Sequence, residues 1–238
     1  FNTPFWQVGF RPFFFGGGVY GAVSVMLWGA FYGGFIMPPP FFTNPILWHG
    51  HEMIFGFTMA IVAGFLLTAV ANWTGSQPVR RGHLAALFLL WLLGRILLNT
   101  PALLPDGVIT AINLGFIPLL AVSIAVPLLR RWNKRNFVFL LLLGLLFAFQ
   151  ASIFIVQTTT PLYGALFIIL TMISLIGGRV IPAFTVAALR RRGGTAMQTP
   201  QPKMDGLALL SLLAVGGVLV SGSSGLWLAG AALFSAGV

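Results

Sequence analysis

A series of long apolar runs separated by short polar segments constrains this chain more than any other feature. A transmembrane α-helix needs about 20 consecutive, mainly apolar residues. The runs that we read as spans are Phe13–Ile36, His49–Val70, Leu84–Leu98, Gly107–Leu129, Phe137–Gln157, Leu162–Leu189 and Leu207–Val220. A further run from Leu226 to Val238 is interpreted as a partial eighth helix. The runs are continuous rather than alternating, which argues against a transmembrane β-barrel. The pattern therefore predicts an all-α, polytopic α-helical membrane protein.

The composition excludes several other classes of protein. Of the 238 residues, 58% are hydrophobic and only 7% are charged, whereas soluble domains have about 25% charged residues. The chain has 13 Lys and Arg against 3 Asp and Glu, for a net charge of +10. A nucleic-acid-binding protein would need those cations on a soluble face, so no nucleic-acid partner is expected. The absence of Cys removes disulfides, thiolate metal sites and Cys nucleophiles.

The basic residues predict the orientation in the membrane. If each run crosses once, eleven of them fall on one side, namely Arg11, Arg80, Arg81, Arg130, Arg131, Lys134, Arg135, Arg190, Arg191, Arg192 and Lys203. The loops after the first, third and fifth spans contain no Lys or Arg. Cytoplasmic loops carry the excess of Lys and Arg, so we expect the N-terminus and the basic loops to be cytoplasmic.

The longest polar segment predicts the organisation of the chain. It runs from Arg190 to Asp205 and contains two glycines and two prolines. We expect an N-terminal six-helix block over 1–189, a basic cytoplasmic linker over 190–206, and further, truncated helices over 207–238. The chain begins at Phe1 without Met and stops at Val238 within an apolar run, so we expect it to be part of a longer protein.

The start of the second span concentrates candidate metal ligands. His49, His51, Glu52 and Met53 supply imidazole, carboxylate and thioether groups, and His with Met suits copper. In a helix, residues two apart do not face each other. Either the segment is extended, as Pro45 suggests, and aligns His49, His51 and Met53, or the two histidines serve different sites. The alternative is a polar helix start whose histidines are satisfied by hydrogen bonds.

Small residues follow Glu52 at intervals of four, in the order Gly56, Ala60, Gly64 and Thr68. Such a stripe lets another helix approach closely. It could also accommodate a flat macrocycle. The spacing favours helix packing over a macrocycle.

Two arginines lie within apolar runs. Arg95 and Glu52 fall at similar depth near the outer ends of their spans, so we expect an ion pair; an unpaired charge there would cost at least ~2.5 kcal/mol. Arg179 follows Gly177 and precedes Pro182, which predicts an interrupted helix lining a cavity. An arginine in such a cavity suits an anion or a haem propionate. The alternative is a side chain that reaches toward the cytoplasmic face.

Several segments together resemble the NnrS family along the whole chain. They are Gly9-Phe10-Arg11-Pro12-Phe13-Phe14, Trp48-His49-Gly50-His51-Glu52-Met53, Phe55-Gly56-Phe57, Ala63-Gly64-Phe65-Leu66-Leu67-Thr68-Ala69-Val70, Asn72-Trp73-Thr74-Gly75, Gly94-Arg95 and Gly178-Arg179-Val180-Ile181-Pro182. The resemblance implies a bacterial inner-membrane protein that contains haem and copper and is linked to the nitric oxide response. It also implies that His49 and His51 are haem or metal ligands, without indicating which histidine serves which cofactor.

Three functions are compatible with these features. The first is a haem- and copper-binding membrane protein that helps cells to withstand nitrosative stress, with nitric oxide or a related small molecule as its partner beside the lipid bilayer. The second is a transporter with a midplane anion site at Arg179. The third is a sensor or assembly factor that binds a cofactor without turnover. His49, His51, Arg95 and Arg179 are the candidate cofactor-binding residues, and Glu52 and Met53 are further candidate metal ligands. The sequence contains no spaced carboxylate pair, P-loop or Ser–His–acid set, so it does not decide whether the protein is an enzyme.

Overall fold

The helices observed in the structure match the predicted spans closely. The computed structural model describes residues 3–37, 39, 41–42, 44–100, 104–195, 197 and 202–221, without the side chains of 202–205. In this part of the chain the α-helices are α1 Phe10–Tyr32, α2 Pro45–His51, α3 Met59–Thr74, α4 Arg81–Asn99, α5 Asp106–Arg130, α6 Val138–Val156, α7 Thr160–Arg191 and α8 Pro202–Val220. A π-helical segment, Glu52–Thr58, joins α2 to α3. The described residues include no strand.

Six helices among the described residues are long and apolar enough to cross a membrane. They are α1, the continuous helix Pro45–Thr74, α4, α5, the helical stretch Lys134–Val156 and α7. These correspond to the first six predicted spans. The seventh predicted span lies in α8, whose apolar part, Gly206–Val220, is shorter. The partial eighth helix, Leu226 to Val238, lies outside the described residues. The prediction of a polytopic α-helical membrane protein is confirmed.

The second span begins with a capped helix rather than an extended segment. The Asn44 side chain accepts a hydrogen bond from the Ile46 backbone N at 2.8 Å, and Pro45 occupies the first helical position. Proline is favoured there because its missing N–H would have no intrahelical partner. Of the two alternatives for this segment, the extended one that aligns His49 with His51 is therefore wrong, because both residues lie in α2.

The chain forms two compact units, Phe1–Leu162 and Tyr163–Val238. In the first unit, α1 packs along the stripe of small residues. A Cβ atom added to Gly64 would lie 3.0 Å from the Cβ of Phe13, and the Phe10 backbone N donates to Thr68 Oγ1 at 3.1 Å. The stripe serves helix packing, and the macrocycle interpretation is wrong because α1 occupies that surface.

The cationic ends of the helices in the first unit lie together. His83 at the start of α4 is hydrogen-bonded to Ser123 in the later part of α5, at 3.0 Å. Asn133, just after α5, donates to the carbonyl of Trp73 near the end of α3, at 3.2 Å. We call this the basic end of the first unit, and its cations include Arg11, Arg80, Arg81, Arg130 and Arg131. Their common location agrees with the predicted arrangement of the loops.

The sixth span is not interrupted as the sequence suggested. Helix α7 runs continuously through Gly177, Gly178 and Pro182. A proline removes one backbone donor, but membrane helices tolerate this loss. The prediction of a broken helix is wrong, and the half-exposed Arg179 lies within the continuous helix. The division of the chain at 189 and 206 stays a prediction.

Candidate functional site

A buried polar cluster lies in the first unit, away from the basic end. It joins α1, the second span, α4 and α5. Its members are Tyr20, His51, Glu52, Arg95, Asn99 and Asn113. Glu52 lies seven residues beyond Pro45, or roughly 10 Å along the helix axis. The cluster therefore lies inside the apolar part of the span.

Glu52 is the centre of this cluster. Its Oε1 accepts hydrogen bonds from Arg95 Nη1 at 2.6 Å and from His51 Nδ1 at 2.8 Å. Its Oε2 accepts from the Tyr20 hydroxyl and from Asn99 Nδ2, the latter at 3.4 Å. Glu52 is fully buried. A buried carboxylate is stable only when it is paired and hydrogen-bonded, and both oxygens of this one are occupied. The ion pair between Arg95 and Glu52 is present as expected.

Arg95 links this carboxylate to α5. Its Nη2 donates to Asn113 Oδ1, and Asn113 Nδ2 donates to the carbonyl of Ile109 at 2.9 Å. A Cβ atom at Gly94 would lie 2.9 Å from Asn113 Oδ1. Glycine therefore permits the close approach of α4 and α5 that brings the amide to the guanidinium.

A small cavity adjoins the guanidinium. Arg95 Nε and Gln150 Oε1 are buried and have no hydrogen-bond partner among the described residues. Both residues line this cavity, which has a volume of about 10 Å³. That is about the space that a single water molecule needs.

His51 exposes one ring nitrogen to an apolar environment. Because Glu52 accepts from Arg95 as a carboxylate, it can only accept from His51, so Nδ1 carries the proton. Nε2 is buried and has no hydrogen-bond partner in the described part of the chain. The ring centroids of Phe42, Phe55 and Phe154 lie 5.1 to 5.4 Å from that of His51. Burial disfavours the charged form of the ring, and a neutral ring with its proton on Nδ1 presents the Nε2 lone pair within this aromatic pocket.

His49 occupies a different environment. Its ring stacks on Trp28 with a centroid distance of 4.3 Å and an interplanar angle of 11°. Its Nδ1 is buried and also lacks a hydrogen-bond partner among the described residues. The two imidazoles face different aromatic side chains, as expected for neighbours two apart in a helix. Both histidines thus retain a nitrogen that no described side chain satisfies.

The candidate metal ligands do not converge. Within the described ranges, no group of three or more His, Cys, Asp or Glu side chains is placed to hold a metal ion. Met53 is half-buried, and its carbonyl accepts from Thr58 Oγ1 at 2.8 Å. Arg179 belongs to the second unit.

Three members of the polar cluster were not identified from the sequence. Tyr20 and Asn113 lie inside predicted spans, and Asn99 directly follows one. Polar groups within a membrane need partners. This rule identified Arg95, and it would have identified these three residues as well. Trp48 also belongs to this region, because its Nε1 donates to Asn99 Oδ1 at 3.0 Å.

The segment that carries the carboxylate has an unusual backbone. The π-helical segment begins at Glu52. Such segments are rare in proteins overall, but those that occur are often found at functional sites. It follows directly on His51, so the imidazole and the carboxylate of two consecutive residues meet at the junction of two helix types.

Comparison with known proteins identifies the family. A family model described as NnrS protein matches residues 4–238. Neither the curated proteins nor the solved structures give a match. The match covers nearly the whole chain, and it agrees with the six candidate spans and with the resemblance of the motifs. The chain belongs to the NnrS family, whose members are membrane proteins of the nitric oxide response.

Proposed function

We propose that this protein binds haem through His51 and acts in the response to nitric oxide. The observation that carries the proposal is the state of the His51 ring: Nδ1 donates to a buried carboxylate, and Nε2 is buried without a hydrogen-bond partner among the described residues. Histidines that bind metals usually donate their other ring N–H to a carboxylate or carbonyl, which fixes the tautomer and raises the basicity of the ligand.

The donor set fits haem better than a mononuclear metal site. Haem iron takes four ligands from its macrocycle and needs one or two from the protein, so a single imidazole suffices. Copper needs several protein ligands, and His with Met is a suitable combination. His49 and Met53 are the remaining candidates for copper, together with ligands beyond those described.

The residues around His51 have separate tasks in this proposal. Glu52 holds the proton on Nδ1 and orients the ring, so we assign it a positioning role rather than a place among the metal ligands. Arg95 neutralises that carboxylate and, like Arg179, stays a candidate partner for an anionic group of a cofactor. The rings of Phe42 and Phe154 pack against the His51 ring, which is fully buried, and help to keep water away from it. Haem iron, when bound, would supply a coordination position for nitric oxide, and the polarity of the pocket would decide between binding and reaction.

The transporter interpretation has lost the observation that favoured it. It required a broken sixth span around Arg179, and α7 is continuous there. We therefore propose no transport function. A sensor or assembly factor differs from an enzyme only in turnover, which a measurement of nitric oxide consumption would decide.

We also propose that the protein resides in the bacterial inner membrane, with its N-terminus and basic end in the cytoplasm. The support is the positive-inside rule together with the shared location of the cations at the basic end.

The test is a visible spectrum with iron and copper analysis of the purified full-length protein in detergent. We expect a haem Soret band that His51→Ala abolishes. His83→Ala serves as the control, because His83 is exposed at the basic end, and it should retain the band. A well-folded protein without haem would contradict the proposal, whatever its copper content, as would a His51→Ala variant with an unchanged spectrum. His49→Ala should alter copper content without removing the Soret band.

A further inference from the structure

A large groove lies at the basic end of the first unit. It is bounded by α4, α5 and the connection between α3 and α4, and its volume is about 850 Å³. Binding pockets for small molecules commonly range from about 300 to 1,000 Å³. We call it the basic groove.

The basic groove has two chemically distinct parts. Its mouth carries Arg80, Arg130 and Arg131, which are all exposed. Its interior is apolar, with Leu87 and Leu90 from α4 opposite Leu119 and Val122 from α5; the last two are 51% and 61% exposed. A ligand that matches both parts is an amphiphile with an anionic head and a hydrocarbon tail.

Among the described side chains, no carboxylate pairs with the three arginines at the mouth. Both salt bridges found in the described residues use Glu52, which is fully buried. Asp106 lies at the opposite end of α5 from Arg130, roughly 36 Å away along the helix axis. The counter-charge at the mouth must therefore come from outside the described residues.

The mouth lies at the level where lipid headgroups are found. Helix α5 ends at Arg130, and Trp132 follows with 63% of its surface exposed. Tryptophan is enriched at the membrane–water interface. The Lys134 ammonium lies 5.6 Å from the Trp132 ring centroid, which keeps a further cation at the same level.

A side-chain hydrogen bond fixes the two walls of the groove. The Ser123 hydroxyl donates to the Leu119 carbonyl at 2.7 Å, so it accepts from His83 Nε2 at 3.0 Å. This bond holds α4 against α5 beside the mouth. The groove is thus a feature of the helix packing rather than of a single surface loop.

We propose that the basic groove binds an anionic phospholipid. The headgroup phosphate pairs with Arg80, Arg130 and Arg131, and an acyl chain lies between α4 and α5 against Leu119 and Val122. Basic pockets between membrane helices are suited to such headgroups. The site is separate from the proposed haem ligand, so it stands independently of the proposed function.

The test measures lipid binding to the purified full-length protein by native mass spectrometry, with phosphatidylglycerol and phosphatidylcholine of equal chain length. We expect preferential binding of phosphatidylglycerol. Arg130→Gln combined with Arg131→Gln should weaken it by about 25-fold, since each basic residue near the membrane surface contributes about fivefold. Lys134→Gln combined with Arg135→Gln is the matched control, because it removes the same charge from residues outside the groove lining, and it should weaken binding clearly less.

A second variant tests the acyl chain. Val122→Phe fills the apolar part without altering charge, and it should weaken binding of phosphatidylglycerol while leaving the Arg residues intact. Equal binding of the two lipids, or an equal loss in the control, would overturn the proposal. Full competition by millimolar inorganic phosphate, with no effect of Val122→Phe, would also overturn it and indicate a site for free phosphate.

Discussion

Arg95 on α4 donates a hydrogen bond of 2.6 Å to Glu52 in the second span, and both side chains are almost completely buried. This ion pair holds a carboxylate within an apolar bundle, and the same carboxylate accepts from His51. The structure thereby couples the stability of the bundle to the orientation of the proposed haem ligand.

Loss of the arginine should strongly destabilise the protein. Arg95→Leu leaves Glu52 without its cation, and breaking a buried pair costs about 3–5 kcal/mol. The free energy of unfolding in detergent measures the loss. Arg135→Leu is the control, since Arg135 is exposed. If Arg95→Leu unfolds no more easily than this control, the pair does not stabilise the bundle.

The Tyr20 hydroxyl should contribute less than the arginine, yet measurably. Tyr20→Phe removes one donor to a charged acceptor, which is worth about 1.5–3 kcal/mol. Thermal unfolding of Tyr20→Phe and Tyr32→Phe gives the comparison, because Tyr32 is 68% exposed. Equal melting temperatures of the two variants would mean that the hydroxyl adds no stability.

The contact between α1 and the second span should not tolerate a methyl group. Gly64→Ala places Cβ 3.0 Å from Phe13 Cβ, and overpacking of this kind costs about 1–3 kcal/mol. Gly144 on α6 has no atom within 4 Å of such a Cβ, so Gly144→Ala should be neutral or slightly stabilising. The two unfolding curves provide the measurement, and a destabilisation of the same size in both would refute the packing argument.

Glu52 should affect the affinity and the midpoint potential of the haem as well as the stability of the fold. Glu52→Gln removes the charge that acts on His51 Nδ1, and loss of such a partner weakens metal affinity by about 10- to 100-fold. Haem titration of the folded protein measures the affinity, and the midpoint potential of the haem reports the change in ligand basicity. An unchanged affinity and potential would show that Glu52 has a structural role alone.

The orientation can be tested with single cysteines, since the chain contains none. Gly82→Cys and Gly107→Cys are matched, because both positions are exposed and have no atom within 4 Å of an added Cβ. An impermeant thiol reagent should label Gly107→Cys in intact cells and Gly82→Cys only after the membrane is opened. The reverse pattern would contradict a cytoplasmic basic end.

Local patterns were sufficient for the spans and for part of the site. The limits of α4 and α5 differ from the predicted runs by at most three residues, because a membrane requires apolar length and penalises charge. The same penalty predicted the pair of Arg95 with Glu52 from their similar depth. It also favoured helix packing for the stripe that includes Gly64.

Two features of the local backbone differ from what the residue pattern suggested. The extended alternative for the segment at His49 was wrong because Asn44 caps a helix there. The break expected near Pro182 was wrong because one missing donor does not end a helix as long as α7.

The sequence by itself determined that this is a helical membrane protein of the NnrS family with a cationic side and few buried charges. Only the tertiary structure decided that Tyr20, Asn99 and Asn113 join Arg95 around Glu52, and that His51 Nε2 is left without a partner among the described residues. The physical reason is that hydropathy acts on each helix separately, whereas hydrogen bonds in an apolar bundle depend on which helices meet and on how they are rotated.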